Sequence, residues 1–366
     1  MTKQPLLWLI LAILLQARPA VGERNLTRPP GTTRYAPMVS ELSGFAQYDR
    51  SAGYHRMSLA TVGRSVDGRG IWMAVLHDPN ARDPGKKVFY LCRQHGHEPA
   101  STEAALRFID ELVHAAPGSD LAQCLARTTL YIVPMANPDG AEAYRRHNAH
   151  DVDMNRDWLA RTQPETRALW AAIERIRPDL MTDQHEMFPD DPRPDFTETV
   201  GPAAAGPLHP PVAQTQRGIR EGRPNEEEAA AEKLPPAGTT PDVMLRGTID
   251  PAPDLDAVPG SDRWRSVVRT SMETARLVHL CLLAKGVGIR CHWLDDDHPP
   301  KLAHRYESLV AGVPAILFET NRHSLSRTVA MRAAVHLAFM EIILRNEAGE
   351  HHRLAAEAAR TLGLPS

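Results

Sequence analysis

Between Lys86 and Val113 the chain changes its hydrophobic period once, and that change confines what the whole sequence can fold into. Lys86 to Gln94 (KKVFYLCRQ) leaves a Pro-Gly turn as a short apolar and aromatic run, the pattern of a buried strand. Ala100 to Val113 spaces its apolar residues at three and four, which predicts a helix. A buried strand running directly into an amphipathic helix is the repeating unit of an α/β sheet covered by helices. Between the two lie His95, His97, Glu98 and Pro99. Open α/β sheets hold their ligands at the carboxyl ends of strands, where this cluster falls. His95 and Glu98, three residues apart in a tight turn, can bring one nitrogen and one oxygen onto a single cation, a pair that zinc accepts. A polar surface loop has the same spacing, so the rest of the chain must decide between the two readings.

The alternation continues in both directions. Strands are expected over residues 57–62, 71–77, 129–133, 179–184, 289–294 and 314–320, and helices over 165–176, 265–283, 327–345 and 351–362. The first two strands are separated by Ser65 to Gly70, whose Asp67-Gly68 step suits a hairpin. Asn137-Pro138-Asp139-Gly140 reads as a turn after the 129–133 strand. With no internal repeat, the expected class is α/β: a single domain with a mixed β-sheet flanked by helices. Residues 23–58 read as an arm lying on that domain. From about 201 to 260 the composition turns rich in Pro, Ala and Glu, too long for an ordinary connection, and reads as an insertion.

Composition closes off several functions. A formal charge of -3 and 5% aromatic residues leave no nucleic-acid footprint. Residues 1–22 carry Lys3, an apolar run from Leu6 to Leu15 and small residues near Ala20 and Gly22, the plan of a secretory signal peptide. An uncleaved anchor is the other reading of that run. The run falls short of the roughly 20 apolar residues of a spanning helix, so no stable membrane span is expected after cleavage, and the product would be secreted or periplasmic. The four cysteines, Cys92, Cys124, Cys281 and Cys291, permit two bridges in such a compartment, with Cys281 and Cys291 near enough to close a short loop.

The motifs then fall into one order: His95-x-x-Glu98-Pro99, Asn137-Pro138-Asp139-Gly140, Arg146 with Asn148, Asp153-Met154-Asn155-Arg156-Asp157-Trp158, Asp183-x-His185 and Phe318-Glu319-Thr320. With the Ser65 to Arg69 turn ahead of them, they resemble the zinc carboxypeptidase family typified by carboxypeptidase A, over about residues 50–345 apart from the insertion. The resemblance implies that residues 23–366 form one catalytic domain with one Zn2+ per chain, held by His95, Glu98 and His185 with water in the open position. It leaves His97 outside the ligand set. Asp183 and Glu186 are both able to receive the outer N–H of a ligand imidazole. Glu319 is implied as the general base, and its apolar strand neighbours suit that task. Arg146 is matched to the family's oxyanion-stabilising arginine; Arg145 competes for the alignment. Asn155 and Arg156 would hold a substrate's terminal carboxylate, Arg156 as a two-point fork. The tyrosine that closes over substrate in the digestive enzymes has one counterpart between His185 and Glu319, Tyr306, displaced toward Glu319.

The activity so implied is metallocarboxypeptidase action on a peptide with a free C-terminal carboxylate, with cell-wall peptides as substrate if the host is a bacterium. Two other functions use the same ligand logic: a zinc amidase or deacylase of the aspartoacylase-like branch, and a metal-bearing binding protein without catalysis. The joint presence of Arg146 and Glu319 argues against the last, since a binder needs no base.

Overall fold

The computed structural model describes residues 32–83, 85–187, 243–248, 261–287, 289–294, 303, 311–321 and 328–364. Among the described residues, eight strands form one mixed sheet in the order β1-β2-β4-β3-β5-β8-β6-β7. The strands are β1 (Met57–Arg64), β2 (Gly70–Leu76), β3 (Lys86–Cys92), β4 (Thr128–Val133), β5 (Leu180–Met187), β6 (Val243–Thr248), β7 (Ile289–Leu294) and β8 (Ala315–Asn321). The helices are α1 (Tyr35–Ser51), α2 (Ala100–Val113), α3 (Asp120–Leu125), α4 (Pro138–Ala143), α5 (Pro164–Ile176), α6 (Ser261–Ala284), α7 (Val329–Arg345) and α8 (His351–Leu362).

Side-chain alternation along the central strands builds two cores. Val88, Tyr90 and Cys92 of β3 join the larger one with Phe108, Ile109 and Leu112 of α2 and Phe339, Met340 and Ile343 of α7. Phe89 and Leu91 point to the other face and meet Leu169, Ile173 and Ile176 of α5. Both faces of the sheet are therefore covered, as its near-continuous apolar strands require. The β1–β2 pair is an antiparallel hairpin, while β4, β3, β5 and β8 run parallel to one another.

The strand order places the site. From β3 the chain crosses to β4 on one side, and later to β5 on the other. The connections thus diverge at the carboxyl ends of β3 and β5, where such sheets open a crevice.

Three features depart from the expectations above. Tyr35–Ser51, read as part of an arm, is a 17-residue helix that buries Met38, Leu42 and Ala46 on the sheet. Pro138–Ala143, read as a turn, is a short helix with Pro138 in its first turn and the Asn137 side chain capping Gly140 N–H. Val243–Thr248, inside the 201–260 range read as an insertion, is a strand of the sheet, antiparallel to β8 and parallel to β7. The remainder of that range, and residues 1–22, lie outside the described residues. Cys92, Cys124 and Cys281 are buried free thiols, so the Cys281–Cys291 bridge is not formed. Burial pushes the Cys124 and Cys281 thiols up to about 11, which keeps them as neutral, unreactive thiols. Among the described residues no helix is long and apolar enough to cross a membrane.

Candidate metal centre

Arg93 follows β3, and its left-handed backbone (φ 57°) turns the chain out of the sheet. Its buried guanidinium fixes that turn by donating to Gly96 O at 2.9 Å and Thr33 O at 2.8 Å. The loop that follows presses against α4: a Cβ on Gly96 would lie 1.9 Å from the carbonyl carbon of Gly140. Only glycine fits so close an approach of two backbones. Asn137, fully buried, ties the same two segments together. Its Nδ2 donates to Gln94 O at 3.1 Å and Arg146 O at 3.3 Å, and its Oδ1 accepts from Gly140 N–H at 2.8 Å. Asp139, next but one, is in turn held by Ser65 Oγ at 2.7 Å, Asp67 N–H at 2.9 Å and Arg69 Nη1 at 2.6 Å. The Ser65 to Arg69 turn and the Asn-Pro-Asp-Gly stretch are therefore one scaffold under the metal loop.

On that scaffold His95, Glu98 and His185 converge, all buried. His95 Nδ1 lies 2.7 Å from Glu98 Oε1, His185 Nδ1 lies 2.9 Å from Glu98 Oε2, and the two Nδ1 atoms are 3.0 Å apart. Each imidazole turns its other nitrogen to a carboxylate: His95 Nε2 to Asp153 Oδ1 at 3.1 Å, and His185 Nε2 to Asp183 Oδ1 at 2.9 Å. That fixes both rings with Nδ1 inward, the arrangement by which outer carboxylates orient metal-binding histidines. Two nitrogens and one carboxylate, packed this closely in a water-poor setting, fit a divalent cation. His97, whose ring is 6.2 Å from that of His95, stands outside the triplet.

The electrostatics agree. Burial works against the Glu98 carboxylate, yet the His95 and His185 rings outweigh it and hold its pKa well below the usual range. Burial likewise disfavours a charged His185, but Asp183 and Glu98 overcome it and raise its pKa well above 6.5. The same carboxylates that favour positive charge on this ring would also favour a divalent cation at this position.

The other sequence-derived residues surround this centre. Glu319 is the register partner of His185 on the parallel neighbour β8, so both side chains leave the same face of the sheet. It is half-buried, and its Oε2 is buried with no hydrogen-bond partner among the described residues. Arg146 is anchored on Asp153 Oδ2 through Nε at 3.0 Å and Nη2 at 2.9 Å. Asn155 is buried, its Oδ1 accepting from Ala303 N–H at 2.9 Å, which leaves Nδ2 3.2 Å from His185 Nε2. Arg156 is exposed and donates to Asn155 O at 3.1 Å. Tyr306 lies outside the described residues.

Two residues escape sequence reasoning. Asp153 serves His95 and Arg146 at once; burial works against its carboxylate, yet these two neighbours outweigh it and hold its pKa well below the usual range. Gln94 takes Trp158 Nε1–H on its Oε1 at 2.7 Å and so turns Nε2 toward Asp183 Oδ1, 2.6 Å away. The only available signal was position: Asp153 opens the Asp-x-Asn-Arg motif, and Gln94 directly precedes His95. Of the two candidates for the outer imidazole contact, Asp183 takes it and Glu186 does not; Glu186 points through the sheet to Arg332.

Comparison with known proteins bears on this arrangement directly. A family model described as Zinc carboxypeptidase matches residues 49–186, a span that includes His95, Glu98 and His185. The chain is 32% identical over 131 residues to Carboxypeptidase SOL1 of Arabidopsis thaliana, covering 32% of this chain and 27% of that protein. It is also 32% identical over 128 residues to Carboxypeptidase D of Mus musculus, covering 31% of this chain and 9% of that one. The alignments thus span less than a third of the length of these curated relatives. Among solved structures, a metallo-carboxypeptidase from Burkholderia cenocepacia superposes with a TM-score of 0.58 at 19% identity, over 86% of this chain and 69% of that one. The carboxypeptidase A of Helicoverpa armigera gives 0.57 at 16%, over 98% and 81%. Residues 49–186 thus match the zinc carboxypeptidase model, and the fold is the one seen in these solved metallocarboxypeptidases.

Proposed function

We propose that this protein is an exported zinc-dependent carboxypeptidase that hydrolyses the C-terminal bond of peptides, with Glu319 as general base. The observation that carries the reading is the placement of Glu319. Its carboxylate leaves the sheet beside His185, on the same face, and keeps a buried oxygen without a hydrogen-bond partner among the described residues. An acceptor left in that state inside an otherwise tied-down centre is available for a proton.

The residues that would hold zinc are His95, Glu98 and His185; bound there, the ion supplies Lewis acidity and a water of lowered pKa. Glu319 takes the proton of the attacking water and returns it to the departing amine. Arg146, held on Asp153, donates to the carbonyl oxygen as it gains charge. Arg156 presents an exposed guanidinium to the terminal carboxylate and, with Asn155, is read as its holder; the Asn155 side chain stands beside His185 Nε2 and its carbonyl accepts from Arg156. Tyr306 completes the reading as a phenol donor. Export, from the signal-like residues 1–22, makes extracellular or periplasmic peptides the substrate, cell-wall peptides among them.

Replacing Glu319 by Gln tests this. The variant is expected to retain one zinc per chain and lose turnover by a factor of about 100 to 10,000 on a peptide library read by mass spectrometry. Undiminished release of C-terminal amino acids would remove Glu319 from the role. Release of an acyl acid from small amides, with peptides untouched, would favour the amidase reading.

A further inference from the structure

Glu186 and Arg332 form an ion pair that the chemistry above does not use. The Glu186 carboxylate is fully buried, and the Arg332 side chain is 6% exposed. Oε2 accepts from Arg332 Nε of α7 at 2.7 Å, and Oε1 accepts from Ala100 N–H at 2.6 Å. Ala100 opens α2, two residues after Glu98, so its N–H is one of those a helix leaves without an internal partner. The Glu186 backbone N–H meanwhile donates to Glu98 Oε2 at 3.1 Å. One residue therefore grips the segment carrying Glu98 twice, once at the ligand carboxylate and once at the helix that follows. Glu186 is also the chain neighbour of His185.

Stability alone does not account for the pair. Withdrawing two charges from water is costly, and well-packed apolar residues in the same space are commonly as stable or more so. What apolar residues cannot do is join a strand, a helix start and a second helix by directional bonds.

We propose that Glu186 is a positioning residue of the metal centre: it sets the distance between the segment bearing His95 and Glu98 and the strand bearing His185, and Arg332 holds its carboxylate in the required orientation. This makes α7, distant in sequence, a determinant of metal affinity. The inference rests on the metal-binding reading given above.

The test uses the full chain and zinc itself, with affinity measured by chelator competition and site geometry by the absorption of the cobalt(II)-substituted protein. Glu186→Gln keeps the shape and one acceptor but sets an amide against Arg332. Its zinc affinity should fall about 10- to 100-fold, the usual effect of removing an outer partner of a metal site, with an altered cobalt band. Arg332→Met should behave alike, and Arg332→Lys should recover most of the loss. The double variant Glu186→Leu/Arg332→Met should regain thermal stability without regaining zinc affinity, a separation that a merely structural pair would not give. If it does not fold, Glu186→Gln and Arg332→Lys carry the comparison. Wild-type zinc affinity and cobalt spectrum in folded Glu186→Gln would overturn the proposal alone. A wild-type protein that binds no zinc stoichiometrically would overturn the metal reading first, and this inference with it.

Discussion

Replacing Asn137 by Ala should separate the metal loop from its scaffold, at a cost that follows from three bonds. The side chain is fully buried and donates to Gln94 O and Arg146 O while accepting from Gly140 N–H. Arg146 O also accepts from Gly96 N–H at 3.3 Å, so its loss is the smaller one, about 1 kcal/mol. Gln94 O and Gly140 N–H lose a partner inside the protein, and each such group costs about 1 to 3 kcal/mol. The sum is about 3 to 7 kcal/mol, a large share of a typical domain's stability. Asn137→Asp retains the bond from Gly140 but sets an oxygen against two carbonyls, and should be at least as damaging. Urea unfolding of the metal-free protein at neutral pH, followed by circular dichroism, measures both. A loss below about 1 kcal/mol for Asn137→Ala would mean that these bonds are not made in solution, and the scaffold argument would fail.

Gly96→Ala should force the metal loop and α4 apart, because the new Cβ would meet backbone atoms of Gly140 and Ala141 rather than a flexible side chain. A loss of about 1 to 3 kcal/mol is expected by thermal denaturation, and an unchanged melting temperature would contradict the packing. His336 should make the protein acid-sensitive. Burial first, then the charge of Arg332, pushes its pKa down to about 3, and the neutral ring bridges Gln184 Oε1 at 3.0 Å and Thr320 Oγ1 at 3.1 Å. Between that value and about 6.5 the unfolded chain binds one more proton, so stability is full above pH 6.5 and falls toward pH 3 by about 1.4 kcal/mol per unit. His336→Gln should flatten the slope by that amount; equal slopes in the two proteins would refute the assignment.

Much of this was legible because strands and ligands announce themselves locally. The period change at Lys86 to Val113 fixed β3, α2 and the metal loop within two residues, and the hairpin followed from Asp67-Gly68. His95 and Glu98 share one turn, and His185 lies at a strand end after an acidic residue. What stayed hidden depends on contacts distant in sequence. Asp153 reaches His95 across 58 residues, Gln94 meets Asp183 across 89, and no periodicity records either. The first helix is weakly amphipathic in sequence and gains its partners from α2 and β1, so its composition resembled an arm. Val243–Thr248 has only three apolar residues, Val243, Met244 and Leu245, before Arg246 and Gly247 in a Pro-rich stretch, and only pairing with β8 and β7 makes it a strand.

Anomalous X-ray scattering from zinc-loaded crystals locates the bound ion. One peak per chain is expected, about 2.0 to 2.2 Å from Nδ1 of His95, Nδ1 of His185 and a carboxylate oxygen of Glu98. A peak elsewhere, or one that leaves the His185 ring uncoordinated, would contradict this ligand set.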